Sequence, residues 1–191
     1  MTEQEFGIVC KMVQERSGIV LEPGKEYLVE ARLGPLLRQM NLNSIGDLIA
    51  QLRLQSGNGL HRHIVEAMVT TESSFFRDHH PFEGLRKVVF PDLIKRRSSE
   101  RRLNIWCAAS SVGQEPYSVA LLIREHFPEL LGWKVSILAT DLSRPILERA
   151  REGRFSQIEV NRGLPAFLLV KYFEQHGTEW QLKPTIRAMG G

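Results

Sequence analysis

Through the first seventy positions apolar residues recur at spacings of three and four, after which the pattern changes to short continuous apolar runs. Phe6, Val9, Cys10 and Val13 share one face, which predicts a helix over residues 3–16 ended by Ser17-Gly18. A second helix is predicted from near Pro23 to about Met40, with Tyr27, Leu28, Ala31, Leu33, Leu36 and Leu37 directed inward and Pro35 expected to kink or break it. Asn43 or Ser44 stands where a third helix, striped by Ile45, Leu48, Ile49 and Leu52, needs its cap. After the turn signal Ser56-Gly57-Asn58-Gly59, a fourth helix from Leu60 to about Val69 buries Ile64, Val65 and Met68. The four together predict a small all-α domain over residues 1–70.

Residues 81–95 read as helical, with a stripe through Leu85, Val88, Val89, Leu93 and Ile94 that Pro91 interrupts. The run Leu103 to Ala109, with charge before it and small residues behind, predicts a buried strand. A helix from about Glu115 to Phe127, a strand from Lys134 to Thr140 and a helix from Arg144 to about Glu152 complete a strand-helix-strand-helix order. That order predicts an α/β fold with a parallel sheet. The organisation expected is therefore 1–70 as a helical domain, 71–102 as a linker with a helix, and 103–191 as part of an α/β domain.

Composition narrows the class. A chain of 191 residues with 42% hydrophobic and 25% charged residues can build a core. No apolar run approaches the ~20 residues of a membrane-spanning helix. The N-terminus has acids where a secretory signal carries bases, so a cytoplasmic location without membrane insertion is expected. Cys10 and Cys107 exclude a disulfide framework and read as small buried residues. The six histidines show no ligand spacing, and no metal is expected. The net charge of +3 is unevenly spread: residues 1–70 hold seven basic and eight acidic side chains, residues 71–102 eight and five. The basic excess, Lys95-Arg96-Arg97 and Arg101-Arg102, fits a solvated helix end, then an acidic protein partner, and only third a nucleic acid.

Three segments carry candidate chemistry. Trp106-Cys107-Ala108-Ala109-Ser110-Ser111-Val112-Gly113-Gln114-Glu115-Pro116-Tyr117-Ser118 follows the first strand, where small residues let a ligand approach the backbone and a helix start offers free amides. Its single glycine is not the dinucleotide fingerprint. Asp141, 28 positions after Gly113 in Ala139-Thr140-Asp141-Leu142-Ser143, is placed either to hydrogen-bond a ribose diol or to cap the next helix. Thr70-Thr71-Glu72-Ser73-Ser74-Phe75-Phe76-Arg77-Asp78 offers hydroxyls, an arginine and paired aromatics, suited to gripping a cofactor or to packing a helix junction.

Together these segments resemble the CheR family of chemotaxis-receptor methyltransferases, whose members carry segments like Thr-Asn-Glu-Thr-x-Phe-Phe-Arg and Gly-x-Glu-Pro-Tyr-Ser and an acid-ended strand like Ala-Ser-Asp. The likeness extends from Phe6 to about Arg187 and includes Gly18-Ile19 and the Lys25 to Arg32-Leu33 pattern. It implies a small all-α domain followed by a Rossmann-like domain that binds S-adenosylmethionine, with the linker helix contacting that cofactor. It implies methylation of glutamate side chains of a chemoreceptor (methyl-accepting chemotaxis protein) cytoplasmic domain, in chemosensory signalling. Arg77 then corresponds to the arginine near the cofactor carboxylate and is the catalytic candidate. Ser73 keeps the hydroxyl of the family threonine, and Thr71 replaces an asparagine. Glu115 and Asp141 correspond to the two acids that hold the cofactor, Asp141 on the ribose. Basic residues of the N-terminal helices face receptor helices in the family, which makes Lys25, Arg32, Arg38 and Arg53 candidates, either for that contact or as solvated charges.

Against the family pattern, an Asn-Leu strand, then a Cys-Arg-Asn strand and, after these, a Tyr-Phe helix are not found before Gly191. The resemblance then implies an incomplete α/β domain that lacks the later strands, the adenine-side contacts and the small β-subdomain, and transfers methyl groups weakly or not at all. A sheet edge left open predicts a homo-oligomer or element-swapped dimer. A non-catalytic, receptor-binding or regulatory relative is the alternative reading.

Overall fold

A computed structural model describes residues 1–54 and 59–189. The chain divides into two compact units, Met1–Thr70 and Thr71–Gly191.

The first unit is all-helical: α1 (Glu3–Ser17), α2 (Glu26–Gln39), α3 (Ile45–Leu54) and α4 (Gly59–Met68). Thr2 and Glu5 form a reciprocal capping box at the start of α1, and left-handed Gly18 ends it, as Ser17-Gly18 predicts. Ser44 is the cap of α3: its hydroxyl accepts from the Asp47 amide at 3.0 Å, while the Asp47 carboxylate accepts from the Asn43 amide at 3.2 Å. The core joins Phe6, Val9, Val13, Val29, Leu33, Leu48, Ile64 and Met68. Helix α2 differs from expectation. It runs through Pro35 without a break, Val29 and Leu33 are its buried positions, and Tyr27 and Ala31 are exposed. Val29 and Leu33, one helical turn apart, define the face, and Tyr27 lies off it. Of the expected Ser56 to Gly59 turn, Gly59 opens α4 and the rest lies outside the described residues.

The second unit opens with α5 (His80–Gly84), a π-helical turn (Leu85–Val89) and α6 (Phe90–Arg96). The wide turn reconciles a helix with Pro91: the Phe90 amide donates to the Leu85 carbonyl, five residues back. The additional residue rotates the apolar stripe, so Phe82 and Phe90 are buried while the expected Val88 and Val89 are exposed.

Strands β1 (Arg102–Ala108) and β2 (Lys134–Thr140) pair in parallel, Leu103 opposite Val135 and Cys107 opposite Ala139. Helix α7 (Gln114–His126) connects them, with a 3-10 turn at Pro128–Gly132. Helix α7 is buried without interruption from Pro116 to Ile123. Strand β1 is buried on one side only, at Leu103 and Cys107, with Trp106 exposed on the other; this corrects the expectation of a fully buried strand. Helix α8 (Arg144–Glu152) follows β2 and ends at left-handed Gly153.

The remaining elements are β3 (Arg154–Ser156), α9 (Gln157–Asn161), α10 (Ala166–Tyr172), β4 (Phe173–His176), β5 (Glu179–Leu182) and α11 (Pro184–Arg187). The strands form an antiparallel sheet in the order β3-β5-β4. Three strands thus follow α8 where none was expected, and their small antiparallel sheet counts against the expectation that the chain lacks a small β-subdomain. Phe155, Phe173 and Leu182 carry this sheet into the core shared by α7 and Phe75. No helix among the described residues is long and apolar enough to cross a membrane.

Candidate functional site

The turn between β1 and α7 uses backbone conformations that L-residues adopt rarely. Ala109, Ser111 and Gly113 have φ of 53°, 51° and 95°. Left-handed φ strains a non-glycine residue, so the surrounding hydrogen bonds must hold it. They do so in sequence: the Ser110 amide donates to the Thr140 carbonyl at 3.0 Å and the Gly113 amide to the Ser110 carbonyl at 3.0 Å. A Cβ on Gly113 would lie 3.0 Å from the Tyr117 ring and 3.1 Å from the Ala150 Cβ, so close packing as well as φ selects glycine.

Asp141 organises the same turn from the end of β2. One carboxylate oxygen accepts from the Ser111 amide at 2.9 Å, the other from the Ser143 amide at 3.0 Å. Ser143, not Asp141, occupies the cap position of α8. The Ser111 hydroxyl donates to the Thr71 carbonyl at 2.7 Å, so one serine joins Thr71 to Asp141. The neighbouring Ser110 hydroxyl is buried without a hydrogen-bond partner. Glu115 lies exposed in the first turn of α7. Burial, with the nearby Glu115 carboxylate accepting a hydrogen bond from it, pushes the Cys107 thiol up to about 11, so that it stays neutral near pH 7.

Residues 71–78 lie against this turn. Phe75 is fully buried, edge-on to Phe155 and Phe173 at 5.0 and 5.9 Å between ring centres. The Phe76 amide donates to the Ser118 hydroxyl at 2.9 Å, which donates to the Gln114 carbonyl at 2.6 Å. With Phe75 anchored, Ser73 and Arg77 line a pocket of about 240 Å³ together with Glu72, Ser74 and Arg162. The Arg77 guanidinium is 3.9 Å from the Asp78 carboxylate and 65% exposed, a loose pairing that leaves its donors available to a ligand. Arg162 is 3.3 Å from Glu72.

The five residues expected to hold a cofactor thus fall into three places. Ser73 and Arg77 share the pocket, Thr71 and Asp141 are linked through Ser111, and Glu115 starts α7; the pocket lining contains none of the last three. Ser111, Ser118, Arg162 and Gly163 were not singled out from the sequence. The glycine-then-proline pair in Asn161-Arg162-Gly163-Leu164-Pro165 is the available signal, since it marks a helix end and a sharp turn. No group of three or more His, Cys, Asp or Glu side chains with metal-binding geometry occurs among the described residues.

In the first unit Arg38 and Arg53 are exposed in the last turns of α2 and α3. Arg32 is committed locally: it donates to the Met68 carbonyl and, at 3.2 Å, to the Thr70 hydroxyl. That commitment removes it from the free surface charges.

Two family models match the chain: the all-alpha domain of CheR methyltransferases over residues 4–69, and the SAM binding domain of CheR methyltransferases over residues 71–189. Chemotaxis protein methyltransferase 1 of Pseudomonas aeruginosa is 40% identical over 188 residues, covering 96% of this chain and 68% of that protein. Chemotaxis protein methyltransferase Cher2 of Pseudomonas putida is 38% identical over 180 residues, covering 92% and 65%. Chemotaxis protein methyltransferase 1 of Vibrio cholerae is 37% identical over 180 residues, covering 93% and 64%. The chain spans about two thirds of the length of these relatives.

Proposed function

The chain belongs to the CheR methyltransferase family, and from that membership we propose that it takes part in S-adenosylmethionine-dependent methylation of glutamate side chains on a chemoreceptor. The observation that carries the reading is the strained turn after β1, held by Asp141 and bordered by residues 71–78.

The residues present fit the cofactor. A nucleoside needs hydrogen-bond acceptors for its ribose hydroxyls and close approach to the backbone, and its amino-acid end needs a cation and hydroxyl groups. Asp141 supplies the acceptor: each of its oxygens has one amide partner and retains lone-pair capacity. The exposed, short side chains of Ala108 and Ala109 allow the close approach, the unpartnered Ser110 hydroxyl gives a spare polar group, and Arg77 with Ser73 the cationic end. Thr71 and Glu115 complete the set.

S-adenosylmethionine, when bound, supplies a methyl carbon activated by a sulfonium. The acceptor carboxylate is already charged at neutral pH, so the protein need not supply a strong base. Its residues act by holding: Asp141 orients the ribose, while Arg77 and Ser73 fix the amino-acid end. Catalysis then comes mainly from alignment of the two reactants.

Calorimetric titration with S-adenosylhomocysteine tests the proposal. Saturable one-to-one binding is expected; no detectable heat at millimolar ligand would overturn it. In this reading Arg38 and Arg53 face the acidic receptor. Reversing both charges should reduce receptor capture about fivefold or more at low salt and less at high salt, because screened surface charges act mainly on encounter. Capture that is unchanged at low salt removes these arginines from the interface.

A further inference from the structure

We infer that the turn Arg162-Gly163 is a clasp that positions the cofactor-gripping segment, setting where Ser73 and Arg77 stand. The inference rests on the cofactor reading above.

Three contacts define the clasp. The Phe75 amide donates to the Arg162 carbonyl at 3.0 Å. The Arg162 guanidinium reaches the Glu72 carboxylate at 3.3 Å, on the other side of Ser73 and Ser74. At Gly163, with φ of 84°, a Cβ would fall 2.0 Å from the Phe75 carbonyl oxygen. No side chain fits into that gap, and the atom in the way is backbone, which cannot swing aside as a side chain can. Gly163 is therefore the residue that lets the two backbones meet.

The turn is rigid enough to act as a reference. Helix α9 before it begins with a reciprocal capping box between Ser156 and Glu159. Glu159 also holds Arg149 of α8 at 2.7 Å, and its carbonyl accepts from the Gln114 side chain at 3.4 Å. The clasp is thus tied to α7 and α8, the two helices that flank the Asp141 turn. Residues 72–75 are fixed to the same frame as Asp141, which keeps the two ends of a ligand site in register. The left-handed Phe76, φ 47°, follows directly and turns the chain towards Arg77.

A clasp of this kind acts on one end of the ligand only, and that separates it from a general structural role. S-adenosylhomocysteine carries the amino-acid end that Arg77 and Ser73 would hold; 5′-methylthioadenosine carries the nucleoside and lacks that end. In Gly163→Ala, affinity for S-adenosylhomocysteine should fall about tenfold or more, with affinity for 5′-methylthioadenosine changed less than about twofold. Arg162→Ala, which keeps the backbone contact and loses the ion pair, should show the same selectivity with a loss of about threefold, and Arg162→Lys should restore most of it. These factors correspond to a perturbed backbone contact and to one exposed ion pair. Equal losses for both ligands, or no loss in Arg162→Ala with no rescue to observe, would overturn the clasp even if Gly163→Ala fails to fold. If the parent protein binds neither ligand, the cofactor reading fails first and the clasp falls with it, so the two failures are distinguishable.

Discussion

Asp141→Ala is expected to weaken S-adenosylhomocysteine binding by about 30- to 100-fold, corresponding to the ~2–3 kcal/mol of hydrogen bonds to a charged acceptor. Two effects add. The ribose loses its acceptor, and the Ser111 and Ser143 amides lose the carboxylate that holds the turn after β1. With Ala109 and Ser111 already at left-handed φ, the turn keeps the Ser110 amide to Thr140 carbonyl bond as a tie to the end of β2 but loses both carboxylate contacts. Asp141→Asn retains one acceptor oxygen and should lie between, near tenfold. Titration calorimetry of the three proteins, each checked for folding by circular dichroism, measures this directly. Undiminished affinity in the alanine variant would show that neither the ribose contact nor the turn depends on Asp141.

The largest effect on stability is expected at Phe75. Its ring is fully buried between Phe155 and Phe173, so Phe75→Ala removes an aromatic side chain and leaves a cavity in the core of the second unit. The expected loss is about 3–5 kcal/mol. Urea denaturation reads it as a lower unfolding midpoint. Phe167→Ala, at a ring 62% exposed, is the matched control and should change stability by less than about 0.5 kcal/mol. A Phe75→Ala midpoint equal to that of the parent would mean that residues 71–78 are not anchored through this ring. The two measurements divide the segment's roles, since Phe75 fixes it to the core and Asp141 fixes the turn that it adjoins.

What could be read in the sequence follows from how each element is stabilised. Strand β2 and helix α8 coincide with their expected bounds because the apolar Val135, Ile137, Leu138 and Ala139 within a seven-residue stretch and a helix opened by Ser143 and closed by Gly153 are local signals. Helices α1, α3 and α4 were legible for the same reason, each with a single apolar stripe. Strands β3 to β5 were not. They are three or four residues long, and β4 buries only Phe173 and β5 only Leu182, too few positions for a period-two pattern to emerge. Their identity depends on pairing across the chain, Phe155 with Trp180 and Phe173 with Leu182.

The candidate site divides in the same way. Asp141, Arg77 and Ser73 stood out because side-chain chemistry is visible in a sequence. Ser111 and Gly163 act through an amide and through the absence of a Cβ, which depend on where two distant segments meet. Tyr27, exposed where an inward position was expected, shows the opposite error, since an aromatic residue in a helical pattern need not belong to the buried face.

The π turn at Leu85–Val89 makes segment length, more than composition, the constrained quantity in this part of the chain. Each residue of an α-helix advances by about 100°, so deleting one residue from the turn would rewind α6 by that angle and carry Phe90 out of the core. It would also press the Pro91 ring towards the carbonyl four residues before it, a clash the wider turn avoids. Val88, pointing to solvent, tolerates many side chains. Gene variation across these codons is therefore expected to be rich in substitutions and poor in single-residue insertions or deletions.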